Sequence, residues 1–191
     1  LWVGPGKHMV TYYLRGGELV NFVAVEERSD WIKESWNEPG DIGQLQQAFC
    51  GWHPEVSEVL QAADECFLWA LFDRKPLESW VDGRVALLGD ACHPMLPFLA
   101  QGAAMAVEDA YVLGAMLDKH SDIPSALQAY QALRYARTSK IQAMARANAK
   151  LFHMSDHTER AKLQLIRIAN KIMPSIAAKP LTSIYAYNAL S

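Results

Sequence analysis

Hydrophobic and polar positions along this chain follow a short period first and a long one later. Residues 8–14 (His-Met-Val-Thr-Tyr-Tyr-Leu) and 18–26 (Glu-Leu-Val-Asn-Phe-Val-Ala-Val-Glu) are dominated by β-branched and aromatic side chains, which pack well on a pleated surface. The link Arg15-Gly16-Gly17 supplies the glycines that a tight hairpin turn needs for positive φ. Leu19 and Val20 interrupt the alternation, which predicts a sheet covered over most of its area. Residues 41–50 and 54–63 read as short helices separated by Gly51-Trp52-His53-Pro54, with Asp41 placed to cap one and Pro54 in the first turn of the next. Residues 66–72 form a short apolar run that predicts another strand, and Asp82-Gly83 turns into a buried strand at 84–89. From Gly102 onward the period is helical. A helix is expected over 102–119, apolar on one side with Glu108-Asp109 opposite. A second starts at a Ser121 or Asp122 cap with Pro124 in its first turn and runs to about Phe152. A third spans roughly 157–173 and stops before Pro174. The fold class is α+β, dividing into a sheet-bearing part (1–80), a strand-loop-helix segment (81–120) and C-terminal helices (121–191).

One segment changes this picture from a fold to a site. Residues 85–110 run from an apolar strand (Val85 to Leu88) into Gly89-Asp90, through a proline-punctuated loop, and out at Gly102 as an alanine-rich helix. That layout brings a carboxylate to the end of a buried strand and aims a helix N-terminus, with its free N–H groups and positive dipole end, at whatever lies beside the loop. It suits a ligand with hydroxyls at one end and developing negative charge at the other.

The segment resembles the second flavin-binding motif of the FAD-dependent aromatic hydroxylases, and within them the salicylate hydroxylase and 3-hydroxybenzoate 6-hydroxylase group. The residues that carry the likeness are Gly89-Asp90-Ala91, His93-Pro94, Pro97, Gly102 and Glu108-Asp109-Ala110. Further stretches also look like this group: Gly4 to His8, Trp36 to Asp41, Phe49 to Trp52, Leu71 to Leu77, Arg134 to Thr138 and Asn148 to His153, so that the likeness covers nearly the whole chain. It implies that Gly89 and Asp90 hold the ribityl end of FAD, with Asp90 accepting a hydroxyl. It also implies that Pro97 packs near the isoalloxazine ring, and that N–H groups around Gly102, Ala103 and Ala104 face the pyrimidine edge. Reduced flavin carries negative charge over that edge, which oriented N–H dipoles stabilise. Many relatives have Asn where Ala104 stands, so a side-chain contact there is absent or replaced.

The implied parent protein is an FAD- and NAD(P)H-dependent monooxygenase that hydroxylates a small, salicylate-like aromatic acid with O2 through a flavin C4a-hydroperoxide. His8 is a candidate base for the substrate phenol, because phenolate character activates the ring; a plain hairpin histidine is the other reading. Tyr12, Tyr13, Asn21 and Phe22 are pocket candidates. His93 is expected to organise the loop as a neutral imidazole bonded to backbone.

Composition narrows the alternatives. Half of the 191 residues are apolar, a fifth are charged, and the net charge is −3, an ordinary globular balance that gives no reason to expect nucleic acid or an anionic membrane as partner. No apolar run approaches the roughly 18–20 residues that span a bilayer. Cys50, Cys66 and Cys92 form neither a paired framework nor a Cys-x-x-Cys, which fits a reducing cytoplasm. Cys92 beside Asp90 and His93 invites a thiol-nucleophile reading, but relatives carry small residues there and a packing cysteine is the better one. His153 and His157 have a two-histidine metal spacing, yet Ser155-Asp156 between them reads as a helix break and no third ligand is evident, so no metal is expected. No G-x-G-x-x-G follows a strand anywhere in the sequence. With family members about twice this length, the chain reads as the C-terminal part of such an enzyme, without its N-terminal Rossmann-like half and without activity alone. A homodimer, or association through the face that half would cover, is expected. Two rival readings remain: a non-catalytic remnant serving as an interaction domain, and a related flavin oxidoreductase with a non-phenolic substrate.

Overall fold

The computed structural model describes residues 1–29, 38–155, 161, 164, 165, 168, 171 and 182–189. The helix expected over 157–173 falls, apart from isolated positions, outside the described residues, as do Trp36, Asn37 and His157. The chain forms two compact units: Leu1–Leu71 with Leu151–Arg160, and Phe72–Lys150 with Ala161–Ser191.

The first unit is built on an antiparallel sheet of three strands in the order β1 (Trp2–Gly4), β2 (Lys7–Leu14), β3 (Leu19–Glu26). The hairpin register runs from Lys7 opposite Glu26 to Leu14 opposite Leu19, and Gly16 and Gly17 take the positive φ values (68° and 103°) that close the turn. A two-residue ladder joins β4 (Glu38–Pro39) to β5 (Phe67–Leu68), so only part of the expected 66–72 strand forms. Helices α1 (Ile42–Ala48) and α2 (Pro54–Gln61) follow β4. Asp41 caps α1 by accepting the Gln44 N–H at 3.0 Å, and Pro54 opens α2 where its missing N–H costs nothing.

Alternation along β2 sends Met9 and His8 to opposite faces. Met9 is fully buried with Phe49, Val56 and Leu60, the last two one helical turn apart on α2. His8 is also buried and rests on the other face against Phe152, ring centroids 5.1 Å apart. The base of the hairpin is therefore covered on both sides. Its tip is not: Tyr12, Tyr13, Leu14, Leu19 and Val20 are exposed, which corrects the expectation of a largely covered sheet. The doubled Leu19-Val20 sits beside the turn, beyond the reach of α1 and α2.

In the second unit β6 (Val81–Asp82) pairs with β7 (Val85–Ala86) around Gly83, whose φ is 56°. The strand expected at 84–89 is thus two residues long, because β6 offers only two partners; Leu87 then donates its N–H to Trp80 O at 2.9 Å. Helix α3 spans Gly102–Lys119 and α4 spans Ile123–Phe152, its last two residues counted with the first unit. Asp122 accepts the Ser125 N–H at 2.9 Å and is the α4 cap. The buried positions of α4, Ala126, Leu127, Tyr130, Arg134, Thr138, Ile141, Gln142 and Ala145, recur at helical spacing along one face. Two apolar clusters, Trp80–Cys92–Val112–Tyr130 and Met105–Ile141–Ile184, fill the unit. On α3 the buried positions are Met105, Asp109 and Val112. Asp109 therefore belongs to the inward face and not, as its charge predicts, to the solvent side.

Candidate functional site

After Ala86 the chain leaves the ladder and winds over the start of α3. Gly89 makes the first bend with φ +62°, and a Cβ there would stand 3.1 Å from the Ala106 Cβ, so glycine serves both the turn and the close approach to α3. A short helical turn over Gly89–Ala91 follows, then Pro97–Leu99 in another, then Ala100 at φ 52°. A left-handed alanine is an uncommon conformation that marks stored strain just where the chain enters α3.

The helix begins without a side-chain cap, and its first regular bond is Met105 N–H to Gln101 O at 2.9 Å. The N–H groups of Gly102, Ala103 and Ala104 lie ahead of that bond. Asp90, Pro97, Ala103 and Ala104 are all exposed. A Cβ on Gly102 would lie 3.8 Å from Asp90 Oδ1 and 4.0 Å from Met95 Cγ, so the bare glycine keeps open the space between carboxylate and helix start. The structure thus gathers Gly89, Asp90, Pro97, Gly102, Ala103 and Ala104 within one unit. His8 lies in the other.

What fixes this loop is a buried ionic network absent from the sequence reading. Asp109, fully buried, accepts from Gly89 N–H at 3.1 Å, from Arg134 Nε at 2.7 Å and from His93 Nε2 at 2.5 Å. Glu108 accepts from Arg134 Nη1 and, in a fork, from Arg137 Nε and Nη2, each at 2.7 Å. The Tyr187 ring stacks over the Arg137 guanidinium at 3.7 Å. Burial alone disfavours an imidazolium at His93, but the bond to Asp109 and its charge outweigh burial and push the pKa up to about 9. Burial likewise opposes ionisation of Asp109, and its bonds to His93 and Arg134 hold it below the usual carboxylate range. The expectation of a neutral His93 bonded to backbone is corrected on both counts: its partner is a carboxylate, and that partner favours the charged ring.

Other side chains pin the loop carbonyls one by one. Tyr130 O–H donates to Leu87 O at 3.2 Å, Gln142 Nε2 to Pro94 O at 2.7 Å and Asn148 Nδ2 to Phe98 O at 2.9 Å. The Cys92 thiol, buried in the Trp80 cluster, donates to Gly89 O at 3.3 Å and is a packing residue. Arg134 and Asn148 fall in stretches singled out in the sequence, but nothing there says what they hold. Cys92, His93 and Asp109 bring three metal-ligand types together. Asp109 is already saturated by Arg134, His93 and Gly89, so the chemistry of the donor set is that of an ion-pair network.

In the first unit His8 is 1 % exposed and its Nδ1 lies 2.6 Å from His153 Nε2, while His153 Nδ1 lies 2.7 Å from Glu27 Oε1. Burial, reinforced by His153, lowers the His8 pKa to about 4. His153 therefore pairs with His8. Tyr12 and Tyr13 stand exposed on the hairpin, and Asn21 and Phe22 are half-buried across from Tyr12 and Thr11. No described helix is long and apolar enough to cross a membrane.

Comparison with known proteins gives a consistent match. A family model described as an FAD binding domain matches residues 59–145. The chain is 38% identical over 175 residues to a 3-amino-4-hydroxybenzoate 2-monooxygenase of Streptomyces platensis, covering 91% of this chain and 43% of the relative. It is 37% identical over 172 residues to 3-hydroxybenzoate 6-hydroxylase 1 of Aquipseudomonas alcaligenes, covering 90% and 42%. Among solved structures, a salicylate hydroxylase substrate complex superposes with a TM-score of 0.81 at 32% identity, covering 98% of this chain and 46% of that one. Klebsiella pneumoniae HpxO, solved with FAD and uric acid, gives 0.74 at 29% identity, covering 94% and 47%. The chain thus spans less than half the length of these relatives.

Proposed function

We propose that this chain, which is similar to FAD-dependent aromatic hydroxylases, is the C-terminal part of a monooxygenase that hydroxylates a small, salicylate-like aromatic acid. The observation that carries the reading is the exposed loop of the second unit. Asp90, Pro97 and an uncapped helix start stand open together, while the backbone beneath them is tied to Asp109, Tyr130, Gln142 and Asn148. A pre-organised row of donors with an acceptor at one end fits a flavin's ribityl chain and electron-rich pyrimidine edge.

When bound, FAD supplies the redox chemistry, activating O2 with electrons from NAD(P)H. This chain's own residues bind and orient. Asp90 accepts a ribityl hydroxyl, Gly89 shapes the approach, and the N–H groups of Gly102, Ala103 and Ala104 offset negative charge on the ring. Pro97 packs against it. With no G-x-G-x-x-G in these 191 residues, the pyrophosphate and adenosine rest on chain outside them, and this chain alone does not turn over.

Asp90 provides the test, because an exposed side chain is removed with little cost to the fold. Asp90→Ala in the intact protein is expected to weaken FAD binding, read by flavin fluorescence, by about ten- to a hundredfold. That is the range for losing a hydrogen bond to a charged group. Unchanged affinity removes Asp90 from the site. Intact protein that binds FAD yet oxidises no NAD(P)H with any hydroxybenzoate defeats the hydroxylase reading in favour of a flavin enzyme with a non-phenolic substrate.

A further inference from the structure

A second stretch of the second unit, far in sequence from the loop between Gly89 and Gly102, reaches the network beneath it. Residues 182–185 form one helical turn, with Ala186 N–H donating to Thr182 O at 2.9 Å. Ile184 is buried with Met105 and Ile141, in the cluster on which Met95 and Leu99, two residues to either side of Pro97, also pack. Ala189 packs on the other cluster, that of Trp80, Cys92, Val112 and Tyr130. The segment is thus anchored on both apolar clusters, and between the two anchors it carries Tyr187.

Tyr187 meets the network at its most crowded point. Its ring centroid lies 3.7 Å from the Arg137 guanidinium carbon and 5.8 Å from that of Arg134, and Arg134 Nη1 donates to its hydroxyl at 3.4 Å. Arg137 also donates to Ser183 O at 3.4 Å and to Ile184 O at 3.1 Å. Both guanidiniums bind the same Glu108 carboxylate, which brings two like charges together. An aromatic face and two carbonyl oxygens suit such a pair, because they present negative potential to cations without adding an ion. From Arg134 the contacts continue to the loop: Arg134 Nε donates to Asp109 Oδ1 at 2.7 Å, and Gly89 N–H donates to Asp109 Oδ2 at 3.1 Å. Gly89 is the residue next to Asp90.

We propose that Tyr187 is a positioning residue of the flavin loop: by holding Arg134 and Arg137 it fixes the Asp109 carboxylate that receives the Gly89 N–H, and with it the placement of Asp90. The geometry separates this role from plain packing. Tyr187 is 41% exposed and fills little of the core, whereas Ile184 and Ala189 supply apolar anchors of their own. Removing the ring leaves those anchors in place and uncovers the two guanidiniums. Arg134 then loses one of the contacts that set its angle, and Asp109 is aimed less firmly at Gly89. The consequence for FAD rests on the flavin site proposed above; the coupling of Tyr187 to Gly89 does not.

Two measurements test this, and the first needs no flavin. In the flavin-free chain, amide hydrogen exchange at Gly89 is compared with that of residues 112–116, further along α3, in native protein, Tyr187→Ala and Tyr187→Phe. Tyr187→Ala is expected to speed exchange at Gly89 by about tenfold, the scale of a partly desolvated cation–π contact, with residues 112–116 unchanged. Tyr187→Phe keeps the aromatic face and is expected to behave as native. Gly89 exchange that stays unchanged in Tyr187→Ala overturns the proposal. So does exchange that rises equally at Gly89 and at 112–116, since a ring that only stabilises the fold loosens the unit as a whole. In the intact protein, Tyr187→Ala is expected to weaken FAD binding by about tenfold, with Asp90→Ala as the reference. Affinity lost in Asp90→Ala but kept in Tyr187→Ala also overturns the role of Tyr187. Affinity kept in both refutes the flavin site and with it the consequence for FAD, and Gly89 exchange then decides the coupling by itself.

Discussion

The geometry of the Gly89-Asp90 turn was legible because it is local. A glycine needing φ +62° and an exposed carboxylate follow each other directly, and the helix start lies a dozen residues on. Asp109 was not legible. On a helix bearing Glu108 beside it, its charge argues for water, and its partners His93 and Arg134 lie 16 and 25 residues away in sequence, at spacings that no periodicity encodes. The pairing of His8 with His153, 145 residues apart, left no trace for the same reason. Asp109 makes the sharper prediction. Asp109→Asn leaves Arg134, itself fully buried, without its main counter-charge. Breaking one partner of such a pair costs about 3–5 kcal/mol. The denaturation midpoint of the second unit is expected to fall accordingly, measured by urea titration with Trp80 fluorescence as the probe. A loss below about 1 kcal/mol, the scale of an exposed ion pair, contradicts this account of the network.

At the scale of elements, α1 to α4 and the hairpin strands β2 and β3 were read well, and the strands expected at 66–72 and 84–89 poorly. The bounds of α3 and α4 follow from an internal period and from caps adjacent in sequence, Asp122 among them. A strand's extent depends on a partner that the pattern does not name. The apolar residues at 84–89 and 66–72 announced burial, but β7 stops after Ala86 because β6 is short, and β5 because β4 is. Beyond Ala86 burial comes from α3, and the junction is Gly89. Substituting Gly89→Ala imposes a left-handed alanine, costing roughly 1–2 kcal/mol, and brings a methyl to 3.1 Å from Ala106 Cβ, tighter than ordinary contact. The expected outcome is a protein less stable by at least that amount whose flavin affinity also drops, since the loop must shift to relieve the contact. Retention of full affinity at normal stability means that the close approach to α3 does not position the loop.

Among the described residues His8 and His93 are buried, one in each compact unit, and they respond to pH in opposite directions. His93 has its pKa raised from 6.5 to about 9, so the folded second unit holds a proton that the unfolded chain gives up. Its contribution is complete below pH 6.5 and is lost as the pH climbs through about 9. Asp109, lowered from its ordinary value, contributes above that value and loses its contribution only as the pH falls further, through the depressed one. His8 has its pKa lowered from 6.5 to about 4; the unfolded chain takes up a proton that the folded first unit refuses, so stability there declines as the pH falls from 6.5 towards 4. The first unit is therefore acid-sensitive and the second base-sensitive. Hydrogen exchange analysed as protection factors resolves the two. At pH 4.5 the amides of β2 and β3 should lose protection while those of α3 and the middle of α4 keep theirs, and at pH 9.5 the order should reverse. Loss of protection in both units together at either extreme is incompatible with separate titrations at His8 and His93, and points to the units unfolding as one.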